Sequence, residues 1–104
     1  VDEAKRTTAR TQIKGLEDAM ELYRLHNGFY PSTQQGLDAL VKAPTTSPVP
    51  KRYQEGGYIK SVPDDPWGNP YIYRNKNGRV QIVSTGPDGE EGGEGNDADI
   101  TNDD

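Results

Sequence analysis

No cysteine occurs among the 104 residues, which removes disulfides, zinc–thiolate sites and thiol nucleophiles together. It leaves the compartment open, because disulfide-free proteins occur on both sides of membranes. Histidine is nearly as scarce. His26 is the one imidazole, and it falls at the end of a predicted helix, where an imidazolium and the last carbonyls attract one another. With no recognisable serine or cysteine motif beside a base, nucleophilic hydrolysis has no foothold. Apolar residues make up 30% of the chain, with one Trp, one Phe and one Met, and mean hydropathy is -1.00. That supports a modest core and one domain. No run approaches the ~18 apolar residues of a membrane span, and residues 1–10 lack the apolar centre of a signal peptide. The chain as given is therefore expected to be soluble. It opens in a charged helical pattern without a methionine, as a trimmed or processed chain would.

Bases are also missing from the end of the chain. All twelve lie between Lys5 and Arg79, so twelve bases against nine acids leave residues 1–84 at +3, while eight acids and no base put residues 85–104 at -8. The overall charge of -5 and pI of about 4.8 exclude a nucleic-acid binder, which needs clustered Lys and Arg with interleaved aromatics.

What is present begins with a helix, expected over residues 2–27. Ala9, Ile13, Leu16, Met20 and Tyr23 recur at alternating spacings of four and three, which builds one apolar stripe. Asn27-Gly28 supplies residues tolerant of the left-handed conformation that closes a helix, and Pro31 stops it. Asp2 to Thr8 carry no large apolar side chain, so the helix is expected to continue upstream. "PSTQQGLDALVKAP" predicts a short second helix capped by Ser32 or Thr33, with Leu37, Leu40 and Val41 inward and Pro44 as its end. Thr45 to Gln54, with Pro48 and Pro50, reads as an ordered loop. Tyr71-Ile72-Tyr73 and Val80 to Val83 flank Asn77-Gly78, a hairpin signal because both turn residues accept positive φ. The layout is α+β in one domain: helix 1–28, short helix and variable loop 29–57, small antiparallel β-sheet 58–84, and acidic glycine-rich segment 85–104.

Three features invite chemistry. Asp64-Asp65 could in principle serve as paired acid and base, but between Pro63 and Pro66 they fit a turn better. Trp67 and Tyr71 of "DPWGNPY" suit a core anchor that sets a loop against the sheet, or an exposed recognition surface. The third is "TGPDGEEGGEGNDADI", Thr85 to Ile100, with six carboxylates and five glycines. Calcium takes six to eight oxygen ligands from carboxylates and carbonyls, roughly 2.3–2.6 Å away, and needs a backbone that curls sharply. Asp88, Glu90, Glu91, Glu94, Asp97 and Asp99 supply charge, and the glycines supply the curl.

Known calcium loops fit this stretch only in part. An EF-hand register from Asp88 places Gly93 and Asp99 correctly but puts Gly92 at a ligand position and lacks an exit helix. "GGEGNDADI" matches the glycine and aspartate positions of the calcium-binding β-helix repeat, yet occurs once and has Asp99 where a large apolar residue belongs. A solvated acidic tail is the competing reading, against which Ile100 offers an apolar residue able to tie the segment down.

The order of "LEDAMELYRLHNGFYPSTQQGLDALV", "GGYIKSVPDDPWGNPYIY" and "VSTGPDGEEGGEGNDADI" closely resembles the major pseudopilins of the bacterial type II secretion system, from about Lys14 to Asn102. The resemblance implies a type IV pilin-like fold and a structural subunit without enzymatic activity. In such proteins an apolar N-terminal helix anchors the precursor in the inner membrane, a prepilin peptidase trims and methylates it, and subunits polymerise into a periplasmic fibre. That fibre, with minor pseudopilins and an inner-membrane platform, helps drive folded exoproteins across the outer membrane. The resemblance further implies calcium in the C-terminal loop, held by the side chains of Asp88, Asp97 and Asp99 and the carbonyls of Thr85, Glu90 and Gly95. Glu90, Glu91 and Glu94 are then expected to face water. Relatives read Asp-Ile-x-Asn-Trp where this chain reads "DITNDD", so Asp103 replaces the aromatic. The alternative is a calcium-dependent module for a carbohydrate or protein ligand, with Trp67 and Tyr71 at its surface; a carboxylate hydrolase is more remote.

Overall fold

A computed structural model describes residues 3–93 and 99–102. Helix α1 spans Glu3–Asn27 and buries Ala9, Ile13, Leu16, Ala19, Met20 and Tyr23, the expected stripe with Ala19 added. Each large member contributes about 1.5–3 kcal/mol through removal from water. Lys14 and Asp18 pair one turn apart at 3.6 Å on the solvent face, a contact worth only a few tenths of a kcal/mol. Gly28, at φ 86, donates its N–H to the Arg24 carbonyl and closes the helix.

The second helix shrinks to a 3-10 turn over Leu37–Leu40. Ser32 and Gln35 do form the reciprocal cap of a helix start: the Gln35 N–H donates to Ser32 Oγ, and the Ser32 N–H donates to Gln35 Oε1. The chain then passes through Gly36 at φ 65 and ψ -164, which no α-helix accommodates. Leu37 and Leu40 are buried as expected, while Val41 is half-buried. Thr33 serves the sheet instead of a helix, as described below.

Loop 41–57 is tied down by polar contacts. The buried Gln35 amide donates to the carbonyls of Thr46 and Pro48, the Tyr53 hydroxyl to the Ala39 carbonyl, and the Arg52 N–H to Asn27 Oδ1. Gly57 is fixed by sterics. Its φ is 84, and a Cβ there would stand 2.7 Å from the Val41 carbonyl oxygen.

The sheet is narrower than residues 58–84 and differently composed. Strands β1 (Ile72–Lys76) and β2 (Arg79–Ser84) form the expected antiparallel hairpin, with Asn77 at φ 54 and Gly78 at φ 88. Residues 58–71 contribute only an isolated bridge between Asp64 and Pro70. Instead β3 (Ile100–Thr101) adds on the far side of β2, pairing Ser84 with Ile100 and Val83 with Thr101. The strand order is β1-β2-β3. Along the outer side of β1 the Thr33 hydroxyl accepts the Asn75 N–H at 2.9 Å and donates to the Asn75 carbonyl at 3.3 Å. Tyr71, Tyr73, Ile82 and Ile100 meet the α1 stripe, with Trp67 and Val80 packed against the same core.

Candidate metal centre in the loop after the second strand

Strand β2 delivers the acidic loop from a buried base. Ser84 is fully buried and Thr85 is 4% exposed, and from Pro87 onward the loop turns to solvent. A tight turn follows, with the Gly89 N–H donating to the Gly86 carbonyl at 3.2 Å. Asp88, exposed at the tip, accepts the Glu90 N–H on Oδ1 at 3.1 Å, an aspartate turn over its own backbone.

Asp99 closes the loop from its other end. It precedes β3, and its Oδ2 accepts the Gly92 N–H at 3.0 Å, so one carboxylate joins the middle of the glycine-rich segment to its far end. Its Oδ1 is buried and has no hydrogen-bond partner among the described residues. A buried carboxylate oxygen with vacant lone pairs is costly unless something positive fills them.

The sequence-predicted ligands are thus separated into two groups. Asp88 and Asp99 lie on the two arms of one loop, with the buried Thr85 at its root and Glu90 at its exposed tip. Asp97 and Gly95, as well as Glu94, lie outside the described residues. Among the described residues no three carboxylates or imidazoles converge on one point. Donor chemistry still discriminates: the arms present carboxylate and carbonyl oxygens without nitrogen or sulfur side chains, which suits a hard cation such as calcium rather than zinc or copper. Together with the orphaned Asp99 oxygen, this makes the residues present a fit for calcium.

Glu91 is exposed. Its carboxylate does not stand in water alone but pairs with the Arg74 guanidinium on β1, which also reaches Gln81 Oε1 at 3.4 Å. A second anchor comes from the "DPWGN" turn, because a Cβ on Gly89 would lie 3.2 Å from Asn69 Nδ2. That turn is organised by Asp65, which is 4% exposed. Asp65 Oδ1 accepts the N–H groups of Trp67 and Asn69 at 3.1 and 2.8 Å, and Oδ2 accepts the Ser84 hydroxyl at 2.8 Å. Asp65 therefore holds the turn against the root of the acidic loop, consistent with a turn rather than a catalytic pair. Trp67 is half-buried against the core and Tyr71 is buried, its hydroxyl donating to Gln12 Oε1, so neither forms an open contact surface.

Sequence reasoning did not find Asn102. Its N–H donates to the Ile82 carbonyl, its Oδ1 accepts the Ile82 N–H, and its Nδ2 donates to the Val80 carbonyl and to Glu17 Oε2 on α1. One amide thereby extends β3 and clips it to the helix. His26, expected at the surface or as a cap, sits 3.0 Å through Nδ1 from the Tyr58 hydroxyl, which also receives Asn27 Nδ2 and the Gln54 N–H.

Comparison with known proteins accords with this architecture. The family model described as "Type II secretion system (T2SS), protein G" matches residues 1–103. The type II secretion system core protein G of Pseudomonas aeruginosa is 52% identical over 103 residues, covering 97% of this chain and 72% of the relative. The protein of the same name from Vibrio cholerae is 50% identical, covering 97% and 70%. Among solved structures, the major pseudopilin from the type 2 secretion system of enterohaemorrhagic Escherichia coli superposes with a TM-score of 0.85 at 43% identity, covering 97% of this chain and 88% of that one. No helix of the described residues is long and apolar enough to cross a membrane. Sequence and fold together show that the chain belongs to the type II secretion system protein G family, the major pseudopilins, and is a structural subunit rather than an enzyme.

Proposed function

We propose that this chain polymerises with copies of itself into a periplasmic fibre that helps drive folded exoproteins across the outer membrane, and that calcium in the loop between β2 and β3 stabilises the subunit. Asp88, Asp97 and Asp99 would hold the ion with the carbonyls of Thr85, Glu90 and Gly95. The observation that carries the calcium reading is the buried Oδ1 of Asp99, without a hydrogen-bond partner among the described residues and one residue before the strand that completes the sheet. When bound, the ion supplies positive charge that offsets repulsion between the carboxylates and so favours the closed loop. The chain's own residues do the rest: Asp99 joins the loop's two arms, and Asp65 with Arg74 seats the loop on its neighbours. An apolar N-terminal helix as inner-membrane anchor, trimming and methylation by a prepilin peptidase, and contacts with minor pseudopilins and the inner-membrane platform belong to the same reading.

Thermal melting with millimolar calcium against chelator tests the ion. The folded protein should gain several degrees with calcium, and Asp99→Ala should abolish the gain; for a domain of this size each 1 kcal/mol moves Tm by about 4–8 °C. Equal Tm values with calcium and with chelator would refute the site.

A further inference from the structure

The dipeptide Asn-Gly occurs twice, at 27–28 and 77–78, and the structure places the two copies in opposite chemical situations. We propose that Asn77 is a site of spontaneous covalent modification in the folded protein, converting to aspartate and isoaspartate through a cyclic imide, while Asn27 is protected. The reactants are the chain itself and water. The backbone nitrogen of Gly78 bonds to Asn77 Cγ as the Cγ–Nδ2 bond breaks, and the amide nitrogen leaves as ammonia, taking the Gly78 N–H proton. Water then opens the imide. Cleavage at the former side-chain carbonyl yields aspartate, and cleavage at the main-chain carbonyl yields isoaspartate.

Every group this reaction needs is committed at Asn27. Nδ2 donates to the Tyr23 carbonyl at 3.0 Å and to the Tyr58 hydroxyl at 3.2 Å, Oδ1 accepts the Arg52 N–H at 2.8 Å, and the attacking nitrogen of Gly28 already closes α1 at 2.7 Å from the Arg24 carbonyl. At the hairpin tip Asn77 is exposed and its side chain makes no hydrogen bond to another described residue. Gly78 is also exposed, with nothing beyond its chain neighbours within 4 Å of where a Cβ would stand. Among the described residues the single restraint is the Gly78 N–H donated to Asn75 Oδ1 at 2.9 Å, an exposed bond open to exchange with water.

Conversion would have two consequences for the tip. A negative charge appears between Lys76 and Arg79, beside the surface groove that Glu17, Asp18 and Glu21 also line. Isoaspartate adds a backbone methylene to a two-residue turn, which Lys76 opposite Arg79 cannot absorb without losing that pair.

Incubating the folded protein at mildly alkaline pH in oxygen-18 water, followed by peptide mapping with separation of aspartyl and isoaspartyl forms, tests the proposal. Alkali favours the attack because the Gly78 nitrogen must lose its proton. The peptide containing Asn77 should take up label in both forms, with Asn27 slower by roughly tenfold or more because its anchoring bonds must open first. In denaturant the two rates should converge. Conversion at equal rates in the folded protein, or an Asn77 amide that outlasts Asn27, would overturn it.

Discussion

Asp65 shows how much one side chain can organise. Its carboxylate oxygens accept three hydrogen bonds while only 4% of the residue is exposed. Asp65→Ala strands two turn N–H groups and the buried Ser84 hydroxyl at once. Hydrogen bonds to a charged acceptor are worth about 1.5–3 kcal/mol each but are not additive within a cluster, so a loss of about 3 kcal/mol is expected in urea unfolding. Asp65→Asn should recover part of it, because the amide oxygen still accepts from the turn. That an aspartate here belongs to a turn was legible from "PDDPWGN". Which of Asp64 and Asp65 is the hub was not, since the sequence does not show that only Asp65 faces Ser84, nineteen positions onward.

At the scale of elements, legibility followed periodicity. Helix α1 needed only spacings of three and four, and the hairpin needed two residues able to take positive φ. The second helix failed because its cap and apolar positions were correct while Gly36 broke the backbone between them. The run 58–71 looked β-prone by side chain, but Pro63, Pro66 and Pro70 deny it ladder donors. Strand β3 has no pattern to read, being two residues inside an acidic stretch, and it exists because Ile100 is fully buried and Asn102 supplies strand-like bonds from a side chain. Asn102→Ala should therefore cost about 2 kcal/mol and, more tellingly, speed amide exchange at Ile82, whose N–H loses the Asn102 Oδ1 acceptor, while leaving Ile72 to Lys76 unchanged. The candidate metal loop was legible as chemistry from its carboxylates and glycines. Its mooring through Arg74–Glu91 and Asn69 was not, because those partners meet only after the sheet has folded.

The whole molecule carries its own pH signature. Burial pushes the Tyr23 hydroxyl up to about 12, with the Tyr58 and Tyr53 phenols adding to it, and burial pushes Tyr71 and Tyr73 higher still. In the unfolded chain these phenols titrate near about 10. Above that pH the unfolded state releases protons that the folded state retains, so stability is complete below about pH 10 and falls as pH rises through the folded values. Urea midpoints should change little between about pH 8 and 9 and drop steeply by about pH 11, and Tyr23→Phe should flatten that drop.

The Thr33 hydroxyl on the outer side of β1 matters most for a chain proposed to build a fibre. A bare strand margin recruits any other strand, and a protein crowded with its own copies is the one most exposed to that error. By satisfying both main-chain groups of Asn75 from within, Thr33 withdraws them from cross-β stacking. Copies are left to meet through side-chain surfaces, whose shape and charge can specify one ordered polymer over an amyloid.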